Sequence, residues 1–275
     1  MFSENDDITT EAQVGRDTGS ADIGSPARVR GLRAALAALS PLDRVKELRE
    51  RVSGRIVFMH GFGIEGQLLL HWICEHDVDI DIATLDTGRL FPETYELWAQ
   101  TEARYGRRIR AVYPDPAGLE SYVGKHGING FYSSQQAREA CCAVRKTSPL
   151  ERALAGASAW ISALRADQSS VRRDDGLVRF EAARGLVKFN PLFDWTREAV
   201  LDEIKAHDIP VNALHAQGFA SIGCAPCTRA IKPGEDERSG RWWWEGDGPR
   251  ECGLHVRRTR ATPPDAAADA SAGCG

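Results

Sequence analysis

Residues 55–88 read RIVFMHGFGIEGQLLLHWICEHDVDIDIATLDTG. The opening RIVFMH is a short apolar run of the length of a buried strand, and the glycine-rich GFGIEG stops it. The run from Leu68 to Cys74 is apolar and helical in character. Residues 79–85 (DIDIATL) alternate as a second strand that delivers Asp86-Thr87-Gly88 at its end. Strand, turn, helix and strand in this order build a parallel sheet with helical crossovers.

The same alternation continues outward. Upstream, Leu32, Leu36 and Leu39 recur at helical spacing. Ser40-Pro41-Leu42-Asp43 then starts a new helix, with Ser40 as N-cap. Downstream, Pro92 opens a helix through Tyr105, with Tyr95, Leu97 and Trp98 expected in the core. Strands are expected over 108–113, 159–164 and 186–189, and Thr196 caps a helix through His207. A short helix or turn fits 212–218. The expected fold class is α/β, one domain with a mainly parallel central sheet flanked by helices.

The turn also spells G-x-G-x-x-G at Gly61, Gly63 and Gly66, and Asp86 follows Gly66 by 20 positions. A dinucleotide-binding fold carries its ribose-binding acid at about this distance. An NAD-dependent dehydrogenase is therefore one reading of the stretch. It leaves the cysteines without a task, and it ignores Thr87-Gly88, which resembles the second nucleotide loop of adenylate-binding pyrophosphatase-like folds. An ATP pyrophosphatase-type sulfur transferase is a second reading. Both rest on a backbone that approaches phosphate at a helix N-terminus. No Gly-Lys-Ser/Thr follows, so the loop is not a Walker A motif.

The cysteines point elsewhere. Of seven, Cys141-Cys142 are adjacent, Cys224 and Cys227 form a Cys-x-x-Cys pair, and Cys252 stands alone in Glu-Cys-Gly-Leu-His. Cys74 lies on an apolar helix face and reads as core, and Cys274 as inert. No signal peptide or membrane-spanning run is recognisable, so a cytoplasmic, thiol-reducing setting is expected. There, paired cysteines hold metal or do redox chemistry. Cys-x-x-Cys suits zinc, whereas a Cys-Cys half-site without a spacer is unusual for it, so zinc and iron–sulfur both stay open with the spacing leaning to the latter. A [4Fe–4S] core on four thiolates is dianionic, and Arg138, Arg145, Lys146, Arg229 and Lys232 flank the pairs. Two adjacent cysteines on a helix point about 100° apart, so a shared ligand demands distorted helix geometry. The isoelectric point near 6.0 argues against a general nucleic-acid binder. A non-enzymatic iron–sulfur or zinc sensor is a third reading.

Taken in order, Leu85-Asp-Thr-Gly, Cys141-Cys142-Ala-Val-Arg-Lys146, Leu164-Arg165-Ala-Asp-Gln-Ser, Cys224-Ala-Pro-Cys227, Gly-Glu-Asp-Glu-Arg238-Ser-Gly-Arg241-Trp-Trp-Trp and Glu-Cys252-Gly-Leu-His255 resemble the assimilatory sulfonucleotide reductases. The resemblance is to the iron–sulfur-containing adenylyl-sulfate (APS) reductases among them, and it covers about 54–256. It implies an adenine-nucleotide alpha-hydrolase-like fold and one [4Fe–4S] cluster per chain on Cys141, Cys142, Cys224 and Cys227. Members with this quartet use APS, and those without it use the 3′-phosphorylated PAPS, so APS is the expected substrate. Gly61, Phe62, Gly63, Leu85, Asp86, Thr87 and Gly88 would hold the nucleotide. Lys146, Arg165, Arg238, Arg241 and His255 would face its sulfate and phosphate. Gly61 stands where the family has serine and Gly66 where it has aspartate, which removes a hydroxyl from the phosphate loop.

The chemistry needs a soft nucleophile, and Cys252 fits it. The expected course is an S-sulfocysteine at Cys252, resolved by thioredoxin or a similar dithiol protein with release of sulfite. Residues 1–27 and 257–275 read as disordered tails, 28–231 as the nucleotide and cluster domain, and 232–256 as a mobile segment carrying the nucleophile. No nucleic-acid or membrane partner is expected, and a homo-oligomer is left open. Trp242-Trp243-Trp244 cannot all face one way, so at least one packs inward and another is free to cover substrate or dock a partner.

Overall fold

The computed structural model describes residues 24–246 and Leu254. Two helices open the fold, α1 (Pro26–Ala37) and α2 (Pro41–Arg51). The Ser40 hydroxyl accepts from the Asp43 N–H and Pro41 occupies the first turn of α2, as its sequence dictates. Then β1 (Arg55–Met59), α3 (Ile64–Glu75), β2 (Asp81–Leu85), α4 (Pro92–Tyr105) and β3 (Arg110–Val112) alternate. After them come α5 (Pro116–His126), α6 (Gln135–Cys142), α7 (Ser148–Leu154), β4 (Ala157–Ile161), β5 (Val178–Glu181), β6 (Leu186–Phe189) and α8 (Arg197–Ala206).

The six strands stand in the order β3-β2-β1-β4-β6-β5. All neighbours pair in parallel except β5 with β6. The three central residues of β1 and of β2 are buried, which fits the continuous apolar run of β1, whereas β2 is buried although its sequence alternates. Helix α3 is buried over ten of its twelve residues, from Ile64 to Ile73. An element that is apolar nearly all round belongs inside, and it packs with α1, α2 and α8 over one face of the sheet. Strand order reverses direction between β1 and β4, so a crevice opens at the carboxyl ends of these two strands.

Several sequence expectations change. Tyr95 is 39% exposed rather than in the core, and its hydroxyl donates to the buried Asp86 carboxylate at 2.8 Å. Strand β4 stops at Ile161, so Arg165 sits in the connection after it. The edge strand β5 was not anticipated. Its VRFE carries a charge at every other position, and only the hairpin with β6 makes it a strand. The expected distortion at the cysteine pair is present, since α6 gives way at Ala143–Thr147 to a π-helical turn. Among the described residues no helix is long and apolar enough to cross a membrane.

Arg44 ties the helical layer together. Its buried guanidinium donates to the carbonyls of Leu36, Ala37 and Pro191 and pairs with both oxygens of Asp194 at 2.6 and 2.7 Å. Replacing it by methionine strands three carbonyls, and Arg44→Met should cost on the order of 3 kcal/mol in urea unfolding. The Arg44 hydrogen bond also holds the Asp194 carboxyl below its ordinary value. Its stabilisation is therefore complete above the unfolded Asp pKa of about 3.9 and is lost as pH falls through the lower folded value. Unfolding midpoints measured between pH 6 and pH 2 should fall less steeply in Asp194→Asn than in the parent over that acid window.

Candidate active site

The loop between β1 and α3 is the floor of a cavity of about 270 Å³ at the carboxyl ends of β1, β2 and β4. Gly63 caps α3 without a side-chain acceptor, which leaves the first-turn N–H groups available to an anion. Phe62 holds φ at +57° although it is a buried aromatic. A bulky residue in the left-handed region costs about 1–3 kcal/mol and marks sites where backbone shape matters. A Cβ at Gly66 would stand 3.0 Å from Nδ1 of His60, so the glycine makes room for the histidine behind the loop. Burial pushes His60 down to about 3 despite weak support from Gln67 and the Gly66 backbone, so the ring is neutral.

Eight of the expected substrate residues line this cavity: Gly61, Phe62, Gly63, Leu85, Thr87, Lys146, Arg238 and Arg241. Asp86, Gly88 and Arg165 do not. Asp86 is buried and folds its own turn, accepting from the Gly88 N–H and the Tyr95 hydroxyl at 2.8 Å each. Arg165 is fully buried among Glu65, Asp167 and Glu237. Cys252 and His255 lie outside the described residues, whereas Leu254 between them lines the cavity. Sequence reading missed His60, Trp160, Arg172, His215 and Glu237 in the wall. Glu237 was legible in principle, as the neighbour of Arg238 in a quoted motif. The two histidines carry no local signal.

Beside this cavity lies a second, smaller one. Cys141, Cys142, Cys224 and Cys227 line it with Arg89, Arg138, Arg145 and Lys146. All four are buried in one apolar cluster with Tyr122, Phe131 and Trp242. Lys146 and Cys224 face both cavities. The Thr87 hydroxyl is 3.2 Å from the Cys224 sulfur, and Arg145 donates to the Thr87 carbonyl at 2.6 Å. Burial pushes the Cys224 thiol up, but Lys146, the Thr87 hydroxyl, Arg241 and Arg145 together outweigh it and hold it below the ordinary thiol value. Cys227 is instead pushed up to about 12 by burial and by Cys224. Among the described residues no three or more of His, Cys, Asp and Glu are placed to hold a single metal ion. Four thiols around a common cavity, with cations on its rim, fit a multinuclear cluster better than one ion. Of three buried guanidinium nitrogens without a partner among the described residues, Arg145 Nε and Arg241 Nε belong to residues lining these cavities, and Arg179 Nε does not.

Trp242 joins the two cavities. It is buried, holds φ at +43°, and its ring carries Arg138 at 4.8 Å, Arg241 at 4.9 Å and Lys146 at 6.0 Å. The indole face attracts each cation and shields it from water. Its neighbours divide as the sequence required, with Trp244 half-buried and Trp243 39% exposed.

Comparison with known proteins accords with this arrangement. Residues 55–230 match the family model of the phosphoadenosine phosphosulfate reductase domain. A protein of Agrobacterium fabrum named adenosine 5′-phosphosulfate reductase is 47% identical over 91% of this chain and 94% of its own length. The Rhizobium meliloti protein of the same name is 53% identical, over 74% and 77% respectively. The crystal structure of a phosphoadenylyl-sulfate reductase from Candida auris, in a phosphate complex, superposes with a TM-score of 0.64 at 25% identity. It covers 75% of this chain and 98% of its own.

The burial difference within the tryptophan run is directly testable. Trp242→Ala should cost about 3–5 kcal/mol in urea unfolding, whereas Trp243→Ala should stay within about 0.5 kcal/mol of the parent.

Proposed function

Because the chain belongs to the phosphoadenosine phosphosulfate reductase domain family, we propose that it reduces adenosine 5′-phosphosulfate to sulfite and AMP in sulfate assimilation. The observation that carries this reading is the shared wall: Lys146 and Cys224 face both the loop-floored cavity and the four-cysteine cavity. The names of the A. fabrum and R. meliloti relatives support APS as the substrate. PAPS, the substrate in the name of the C. auris enzyme, is the nearest alternative.

The nucleotide lies over Gly61–Gly63 and against Leu85 and Thr87, with its anionic groups toward Lys146, Arg238 and Arg241. The Cys252 thiolate attacks the sulfate sulfur, an S–S bond forms, and the S–O bond breaks with AMP leaving. A thiolate of thioredoxin or a similar dithiol protein then attacks the Cys252 sulfur and expels sulfite with the bonding electron pair. The partner's second thiol resolves the mixed disulfide, returning Cys252 as a thiol and leaving the partner oxidised. Leu254 supports this assignment, because it lines the cavity and two residues of chain span at most about 7 Å. His255 is assigned to the same anionic groups.

Cys141, Cys142, Cys224 and Cys227 are the residues that would hold one [4Fe–4S] cluster, which when bound supplies a fixed negative charge rather than a redox step. Lys146 and Arg145, which line the four-cysteine cavity, would balance that charge, and Lys146, which lines both cavities, would present its own to the substrate. Residues 28–231 form the nucleotide and cysteine unit in this scheme, and 232–256 carry Arg238, Arg241 and the nucleophile. Thiols that must stay reduced assign the protein to the cytoplasm.

Anaerobically purified protein incubated with APS and no reductant should gain the mass of one SO₃ group, mapped to Cys252 and removed by thioredoxin with release of sulfite. Cys252→Ser should form no adduct and lose on the order of 10³-fold or more in kcat. An adduct from PAPS alone would overturn the substrate assignment, and none from either nucleotide would overturn the reductase reading.

A further inference from the structure

The cavity that receives an anion has two carboxylates in its wall, Glu65 and Glu237. Both are turned onto one guanidinium. Arg165 Nε donates to Glu65 at 2.9 Å, its Nη2 to Glu237 at 2.9 Å, and its Nη1 to Asp167. Three carboxylates enclose one cation of zero exposure, so Arg165 has no surface left for a ligand. Its neighbours come from three segments: Glu65 from the first turn of α3, Asp167 from the connection after β4, and Glu237 from the loop that carries Arg238. The second oxygen of Glu237 accepts from Arg197, the first residue of α8, at 3.1 Å.

The loop has other anchors, among them the Arg241 N–H on the Arg238 carbonyl at 3.0 Å. Its far end is fixed by backbone: Arg229 N–H donates to the Gly240 carbonyl, Trp242 N–H to the Cys227 carbonyl, and Thr228 bridges Arg241. A Cβ at Gly240 would stand 2.3 Å from the Arg229 carbonyl oxygen, so the two segments touch through glycine alone. Its near end has the Arg229–Glu235 pair, about one-third exposed on both sides, and such pairs contribute little. Arg238 lies between the two ends, with Nη1 3.4 Å from the Ser221 hydroxyl. Glu237, held by two cations from two elements, is the strong fastening next to it.

We propose that Glu237 is a positioning residue for the reaction: clasped by Arg165 and Arg197, it fixes Arg238 over the cavity for the anionic groups of the sulfonucleotide. Arg165 then acts through Glu237 and Glu65, aligning the glycine loop and the arginine loop on either side of the ligand. The inference rests on the sulfonucleotide reading of the same cavity.

The test is a double-mutant cycle. Glu237→Gln keeps the shape and removes the charge, while Arg165 retains Glu65 and Asp167. Steady-state assays with APS and thioredoxin should show KM raised about tenfold or more with kcat changed by less than about threefold. Glu237→Asp should recover part of the loss. In an Arg238→Met background the same Glu237→Gln change should alter KM by less than about twofold, because the group it positions is gone. A general loss of packing would persist in that background. Arg197→Met, at a partly exposed side chain, should give an intermediate KM and keeps the proposal testable if Glu237→Gln fails to fold. An unchanged KM in Glu237→Gln, a lower one, or a full penalty retained alongside Arg238→Met would each overturn the clasp. Failure of the parent protein to turn over APS or PAPS would count against the reductase reading instead, since the clasp is judged only by ratios to an active parent.

Discussion

Positive charge held out of water around two adjoining cavities is the constraint on which the rest of this structure depends. In the proposed function both cavities bring negative charge, a cluster to one and a sulfonucleotide to the other, and a lone buried cation is itself expensive. The fold meets both demands with a shared set. Lys146 and Cys224 stand in the common wall, and Arg138, Arg241 and Lys146 gather around the face of Trp242. Arg138 is further neutralised by a two-pronged pair with Glu245 at 2.8 Å to each oxygen. Arg145 and Arg241 instead keep an unpartnered guanidinium nitrogen among the described residues.

Backbone shape supports this charge arrangement. Phe62 and Trp242, the two buried aromatics at positive φ among the described residues, both line one cavity. The π-helical turn at Ala143–Thr147 follows the cysteine pair directly and carries Arg145 and Lys146. Cys141 with Arg145 and Cys142 with Lys146 stand one turn apart, and all four line one cavity. The glycine loop shows the same economy of space. Gly66 lets the neutral ring of His60 pack beneath the α3 N-terminus, where an aspartate would collide with it.

Much of this was legible from residues alone. The apolar run at β1, the alternation at β2, the Ser40 and Thr196 caps, and the strand at Leu186–Phe189 are local patterns, and they appear where the patterns put them. The ordered cysteine and arginine motifs pointed to the family, and the helix distortion at Cys141-Cys142 followed from geometry. The failures are instructive. Tyr95 lies in a helical apolar pattern, yet its ring stays 39% exposed while its hydroxyl donates to the buried Asp86. Strand β5 has an unremarkable sequence and exists because β6 offers an edge.

By itself, the amino-acid sequence determined the element types, the parallel α/β class and the kinds of chemistry present, because these depend on neighbours a few positions apart. The tertiary structure alone decided which groups meet. It encloses Arg165 by Glu65 and Glu237 across separations of 100 and 72 residues, and it brings Cys224 to the Thr87 hydroxyl across 137. Such contacts follow from the strand order, which a local pattern does not encode. Whether an arginine faces ligand or is sealed among carboxylates depends on what the fold packs against it.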